Sequence, residues 1–221
     1  MPEGRGIHAG CVMKIVEQSA ELIYPATKED AIREMKYIEL AGRNCYQSQN
    51  KITDDSYLRF VKALIKNGHG SPLEFGRVIL KLKTSRDVMA ELTRHRLCGF
   101  AILSQRFVLE SKDGDIEFIR PNTYQVELPL GMSDIHDSWF YAMRGCEECY
   151  KKAIAEGAKN EDARKVLPNS TATDIVMTCN IREMLHILSL RDSNAAYPEM
   201  RTLMKLVRSE LTKVFPEIFD E

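Results

Sequence analysis

Apolar positions recur at helical spacing over residues 29–41, where Ala31, Ile32, Met35, Ile38 and Leu40 gather toward one face, and over 54–67, where Leu58, Val61, Leu64 and Ile65 do the same. Thr53 reads as the N-cap of the second helix and Gly68 as its stop. Over 74–83 the period shortens to two: Val78, Leu80 and Leu82 alternate with Ile79, Lys81 and Lys83, which predicts a strand. Ser85 then caps a helix that runs through Val88, Met89 and Leu92 into Arg94-His95-Arg96. Further along, the pattern predicts strands over 103–109 and 116–120 with a turn at Gly114, and a long helix over 133–158 containing Trp139, Met143 and Tyr150. A short helical segment over 161–166 is closed by Pro168, and a β-branched run follows over 173–179. Helices over 181–190 and from Pro198 to about position 214 complete the chain. A short strand over 13–16 begins it, after an N-terminal extension over 1–12. Helices and strands mix without regular βαβ alternation, so the expected class is α+β, a mixed helix and antiparallel-sheet fold in one domain over 13–221.

Composition narrows the function classes. The chain has 221 residues, 44% hydrophobic and 29% charged, with a formal net charge of -1. That length supports one sizeable core, and that charge gives no global field for holding nucleic acid or an anionic membrane. No apolar run approaches the ~18 residues of a membrane span, and residues 1–12 lack the apolar core of a signal peptide. Six cysteines are scattered without disulfide-framework or zinc-ribbon spacing. Cys146-x-x-Cys149 has no second pair and reads as incidental. The expectation is a soluble, reduced, cytoplasmic protein that binds no nucleic acid and no membrane.

The candidate chemistry lies in Arg94-His95-Arg96, then seven residues, then Ser104-Gln105-Arg106. Arg stays protonated in a protein, so these guanidinium groups must face water, carboxylates or phosphates. Each also offers a planar fork that grips phosphate or carboxylate with two bonds. The bland alternative is a solvated helix end, where basic residues complement the helix dipole. Against it stands the apolar stretch leading into Ser104 and Arg106, which strand alternation would place on one side, with Leu103 and Gln105 on the other. The segment therefore reads as a site for an anionic, phosphorylated ligand. Gly68-His69-Gly70-Ser71-Pro72-Leu73-Glu74 reads by itself as a turn with a surface His. Arg164-Lys165-Val166-Leu167-Pro168 reads as a helix terminus. Over 180–191, helical geometry puts Asn180, Met184, Ile187 and Arg191 on one face and Arg182, His186 and Ser189 on another.

Together these segments resemble the flavin-dependent thymidylate synthases, whose signature is Arg-His-Arg, seven residues, then Ser. The 69–74 segment is similar to that family's His-x-Ser/Thr-Pro-x-Glu, the 164–168 segment to its Arg-x-x-Leu-Pro, and 180–191 to its Asn-x-Arg followed nine residues later by Arg. Asp192-Ser193-Asn194-Ala195-Ala196-Tyr197-Pro198-Glu199-Met200-Arg201 continues the match, and the segments run in family order from 69 to 201. The resemblance implies FAD held by His69, Ser71, Arg94, His95, Arg96, Ile102, Asn180, Arg182 and His186. It implies dUMP held by Glu91, Arg94, Ser104, Gln105, Arg106, Arg164 and Arg191, with Arg191 at the pyrimidine ring as the catalytic residue. NADPH and methylenetetrahydrofolate would be co-substrates in making dTMP, in a homotetramer with active sites at subunit junctions. The chain departs from the family pattern in places. Ala101 and Ile102 stand where a polar residue and Glu are usual, Glu91 where Gln is common, and Cys45 where some members have Ser.

Ser104 has no evident base beside it to make it a nucleophile, and Cys98 reads as a core thiol. No Rossmann or P-loop glycine fingerprint is present, nor a Ser-His-Asp order or zinc-ligand spacing. Two further readings stay open: a same-scaffold enzyme modifying another pyrimidine nucleotide, such as UMP or a hydroxymethylated product, and a non-catalytic homologue that binds flavin or nucleotide.

Overall fold

A computed structural model describes residues 14–110, 114–122 and 133–220, with side chains from residue 138 onward in the last stretch. The expected extension over 1–12 lies outside the described residues. By its internal contacts the chain groups into two compact units. The first comprises residues up to 16 and 104–172, the second 17–103 and 173 onward.

The second unit is built on a four-stranded sheet. Its strands are β2 (Ser19–Tyr24), β3 (Arg77–Ser85), β4 (Gly99–Ile102) and β6 (Ala172–Asn180), in the order β2-β3-β6-β4. The pairs β2–β3 and β4–β6 are antiparallel. Alternation holds as expected in β3, where Val78, Leu80 and Leu82 are buried, and in β6, where Ile175, Met177 and Cys179 join them. Helices cover this apolar face: α1 (Lys28–Cys45), α2 (Ser56–Lys66), α3 (Arg86–Leu92), α6 (Ile181–Arg191), α7 (Pro198–Thr212) and the short α8 (Pro216–Phe219). Thr27 caps α1 through a capping box with Asp30. Glu39 on α1 is buried but satisfied, accepting from Arg43 Nε at 3.1 Å and Ser56 Oγ at 2.9 Å.

The first unit pairs β1 (Lys14–Val16) in parallel with β5 (Glu117–Ile119). It packs Ile116, Phe118, Trp139, Met143, Tyr150 and Ala163 into a core of its own. Helix α4 (Ser133–Ala155) supplies Trp139, Met143 and Tyr150 to that core, and α5 (Asn160–Ala163) runs into a 3-10 turn over Arg164–Val166.

Three local expectations are corrected. The predicted strand over 103–109 does not form. Sheet pairing ends at Ile102, the last ladder-like bond runs from Leu103 N to Asp174 O at 2.9 Å, and the chain turns at Ser104. Ser104 causes this locally: its carbonyl accepts from Val108 N at 3.0 Å and its Oγ from Arg106 N at 3.3 Å, an alternative to the ladder that a hydroxyl side chain favours. Thr53 is not the N-cap of α2; Asp55 holds that place, while Thr53 N–H donates to Ser56 Oγ at 2.9 Å. Strand β3 starts at Arg77 because Ser71–Phe75 forms a 3-10 turn initiated by Pro72, buried with Leu73. The sequence pattern does not predict strand β2, whose exposed and half-buried positions alternate over six residues, or helix α8, whose four residues are too few for periodicity to show.

Candidate active site

In the second unit, the residues singled out from the sequence converge on α6. Asn180 ends β6 and caps the helix, its Oδ1 accepting from Glu183 N at 2.8 Å. From the first turn, Arg182 points outward and donates Nη1 to Glu74 Oε1 at 2.6 Å. Gly70 permits that approach, since a Cβ there would lie 2.8 Å from Arg182 Nε. Gly68 turns the chain just before it with φ +69, the left-handed conformation that suits glycine. The structure thus joins the 69–74 segment to Arg182. His69 and Ser71 are exposed.

The next residue, Glu183, points the other way and is buried. Its Oε1 lies 3.5 Å from His95 Nδ1. On the far side of the imidazole, Arg191 Nε donates to His95 Nε2 at 3.1 Å. Arg191 Nη1 then donates to Glu91 Oε2 at 2.9 Å, and Nη2 to the Glu91 carbonyl at 3.4 Å. His95 must therefore carry its proton on Nδ1, facing Glu183, and offer a lone pair to Arg191. Burial and the Arg191 charge both hold the imidazole below its usual protonation range, opposed in part by Glu183. His186 meets His95 edge to face at 6.2 Å between ring centroids. This chain of contacts sets the orientation of Arg191 and leaves part of its guanidinium fork unused.

The Arg-His-Arg triplet divides accordingly. His95 turns into the protein, while Arg94 and Arg96 are exposed in the turn after α3. Ile102 is half-buried and packs against the apolar core, opposite Ile175 in the sheet register. Its side chain serves the core, which accounts for an apolar residue at this position.

Beside the Ser71–Phe75 turn, α1 and that turn line an open, largely apolar pocket of about 770 Å³. Tyr37, Leu40, Asn44 and Cys45 line it from the helix, and Ser71 and Phe75 from the turn.

The first unit carries the remaining candidates. Arg106 is exposed, donates Nε to Glu161 Oε2 at 2.8 Å and lies over the Phe107 ring at 5.1 Å. Glu161 is in α5, just before Arg164, which is exposed. Gln105 is buried, and its Nε2 has no hydrogen-bond partner among the described residues. Ser104 and Arg106 share a turn rather than one face of a strand.

Sequence reasoning missed Glu183, Glu161, Tyr37 and Phe75. Glu183 had a signal: with Ile187 and Arg191 it keeps the four-residue spacing of one helix face, and a carboxylate on a face that packs into the core needs a partner. Among the described residues, no cluster of His, Cys, Asp or Glu could hold a metal ion, and no helix is long and apolar enough to cross a membrane.

Comparison with known proteins decides the family. The family model described as thymidylate synthase complementing protein matches residues 29–217. The chain belongs to the flavin-dependent thymidylate synthase family. A flavin-dependent thymidylate synthase of Geobacter sulfurreducens is 31% identical over 189 residues, covering 82% of this chain and 79% of the relative. One from Mycobacteroides abscessus is 34% identical over 200 residues, covering 83% and 78%. Among solved structures, a UMP/dUMP methylase, PolB, from Streptomyces cacaoi, bound with 5-Br dUMP, has the same fold. Its TM-score is 0.73 at 22% identity, over 94% of this chain and 96% of that one. The chain is accordingly an enzyme of the methyltransferase type whose relatives depend on flavin.

Proposed function

We propose that this protein is an FAD-dependent thymidylate synthase that converts dUMP to dTMP, with methylenetetrahydrofolate as carbon donor and NADPH as reductant, acting as a homotetramer. The observation that carries the reading is Arg191, oriented by His95 and Glu91 with part of its fork unused. A flavin would fit the second unit. The pocket offers aromatic and apolar walls at Tyr37, Leu40 and Phe75 for a ring system, and Ser71 and Asn44 supply polar atoms. Exposed Arg94 and Arg96 suit a pyrophosphate. Asn180, Arg182 and His186 surround the start of α6, and His69 precedes the turn that lines the pocket. Ile102, packed into the core, is set aside from this group.

When bound, the reduced flavin supplies the hydride that the methylation requires. The chain's own residues do the rest. Uracil C5 becomes nucleophilic as negative charge builds on the N3/O4 side of the ring, and a fixed guanidinium there stabilises that charge. Arg191 is such a donor because neither side chain that orients it needs to move. Gln105 Nε2, Arg106 and Arg164, with Ser104, offer the donors a nucleotide phosphate takes, and Arg106 exchanges its exposed carboxylate partner for the phosphate. The Glu91 carboxylate, holding Arg191, offsets its charge before substrate arrives.

A second reading rests on Glu91 and Ile102, where the chain departs from the family pattern: the same scaffold acting on UMP. One assay separates them. Purified protein with FAD, NADPH and methylenetetrahydrofolate is given dUMP, UMP or dCMP, and products are weighed by mass spectrometry. Methylated product from dUMP, lost when FAD is stripped, is the expected result. Methylation of UMP alone would replace the first reading with the second, and flavin binding without turnover on any nucleotide would remove both.

A further inference from the structure

We propose that Cys98 and Cys179 form a redox-responsive thiol pair that closes into a cross-strand disulfide when the protein meets a hydroperoxide. Strands β4 and β6 are antiparallel, pairing Gly99 with Thr178, Phe100 with Met177, Ala101 with Val176 and Ile102 with Ile175. One step further outward, the same register sets Cys98 opposite Cys179. The bond from Leu103 N to Asp174 O marks 103 and 174 as a hydrogen-bonded pair. Cys98 immediately precedes the ladder; pair types alternate along it, so the extended register gives Cys98 and Cys179 the place of a non-hydrogen-bonded pair, for which Cα atoms lie about 4.5 Å apart. A disulfide needs a Cα separation of roughly 4.4–6.8 Å. Both side chains face the apolar core of the second unit, and both thiols are free.

The two thiols act on each other: the neighbouring Cys179 lowers the Cys98 thiol below its ordinary range, while Cys98 and burial push Cys179 up. Cys98 is half-buried and Cys179 buried, so the oxidant reaches Cys98 first. With hydrogen peroxide, the Cys98 thiolate attacks one oxygen, the O–O bond breaks, and a sulfenic acid and water result. The Cys179 sulfur then attacks Cys98 Sγ, the S–S bond forms and a second water leaves. Two thiols lose two electrons and two protons, and the peroxide becomes two waters.

The bridge would tie two functional elements together. Cys98 N–H donates to the His95 carbonyl at 3.3 Å, and Cys179 directly precedes the α6 cap Asn180. The His95–Glu183 contact thus lies between the anchor points. The remaining described cysteines serve as internal controls: Cys45 ends α1, and Cys146 and Cys149 sit one turn apart on α4. None of this depends on the nucleotide or flavin chemistry proposed above, so either can fail alone.

The test treats purified full-length protein with one equivalent of hydrogen peroxide, blocks free thiols with iodoacetamide and maps tryptic peptides without reduction. The expected product joins residues 97–106 to residues 166–182, is at least ten times more abundant than any other cysteine pair, and disappears with dithiothreitol. It should be absent from Cys98→Ser and Cys179→Ser. The wild-type map is decisive even where a variant fails to fold. Alkylated Cys98 and Cys179 after oxidation, a bridge to another cysteine, or oxidation ending at sulfinic acid on Cys98 would each overturn the proposal.

Discussion

Arg191 and Arg106 each place a guanidinium on a glutamate, at 2.9 and 2.8 Å. There the likeness ends. Arg191 is largely covered, with 24% of its side chain exposed; buried His95 accepts from its Nε and both oxygen types of Glu91 accept from the fork. Arg106 is 59% exposed, sits in a turn and has one carboxylate partner. A donor whose direction is fixed beforehand stabilises developing charge without reorganising. A solvated pair gains about 0–1 kcal/mol from its own contact and can exchange one anion for another. On the function proposed above, this difference corresponds to different work for the two arginines, chemistry for Arg191 and capture for Arg106.

The sharpest way to break this contrast is Arg191→Ala. Loss of one fixed charge-stabilising donor typically costs about 10²–10³ in turnover. The expected result is a fall of that size in dTMP formation with flavin absorbance retained. Near-normal turnover would remove the distinction altogether. Arg191→Lys should recover little, because an ammonium cannot bond His95 and Glu91 through a fork at once.

Acid should loosen the same arrangement. His95 is held below its ordinary range near 6.5 by burial and by the Arg191 charge. A group whose folded-state value is lowered contributes stability that is fully present above the unfolded value and lost as pH falls through the folded one. The neutral imidazole accepts from Arg191; once protonated it cannot, and two cations face each other, with His186 nearby and only Glu183 and Glu91 to offset them. Stability by urea unfolding should therefore decline as pH drops below about 6.5, with a slope of at most about 1.4 kcal/mol per pH unit for one proton. His95→Gln should lose that dependence. An unchanged slope in the variant would place the titration elsewhere.

Much of this was legible in the chain before any coordinates. The alternation of Val78, Leu80 and Leu82 and the helical spacing through Ile181, Met184, Ile187 and Leu188 each depend on burying one face, and burial leaves its period in the sequence. The turn at Ser104 was hidden because Leu103, Phe107, Val108 and Leu109 look like strand residues. What decides there is a serine bonding to its own backbone and the end of pairing with β6, which no local pattern encodes. The same holds for the site. Motif spacing nominated His95, Arg182 and Arg191, whereas the carboxylates that orient them come from 88, 108 and 100 residues away in sequence, at Glu183, Glu74 and Glu91. Spacing selects donors, and only folding pairs them.

The smallest expected effect belongs to Arg106→Ala, and it tests the other side of the contrast. Removing the exposed pair with Glu161 should change unfolding stability by about 0–1 kcal/mol. If Arg106 captures the nucleotide phosphate, the variant loses one charged hydrogen-bonding contact that exists equally before and during the reaction. Such a loss raises KM and leaves kcat nearly alone, and a charge-assisted bond of about 1.5 kcal/mol corresponds to roughly tenfold. Glu161→Gln should move KM the opposite way, because it frees the guanidinium that phosphate must otherwise win from a carboxylate. A fall in kcat at Arg106 comparable to that of Arg191→Ala would mean that a solvated, singly paired arginine also acts on the transition state, and burial would no longer distinguish the two roles.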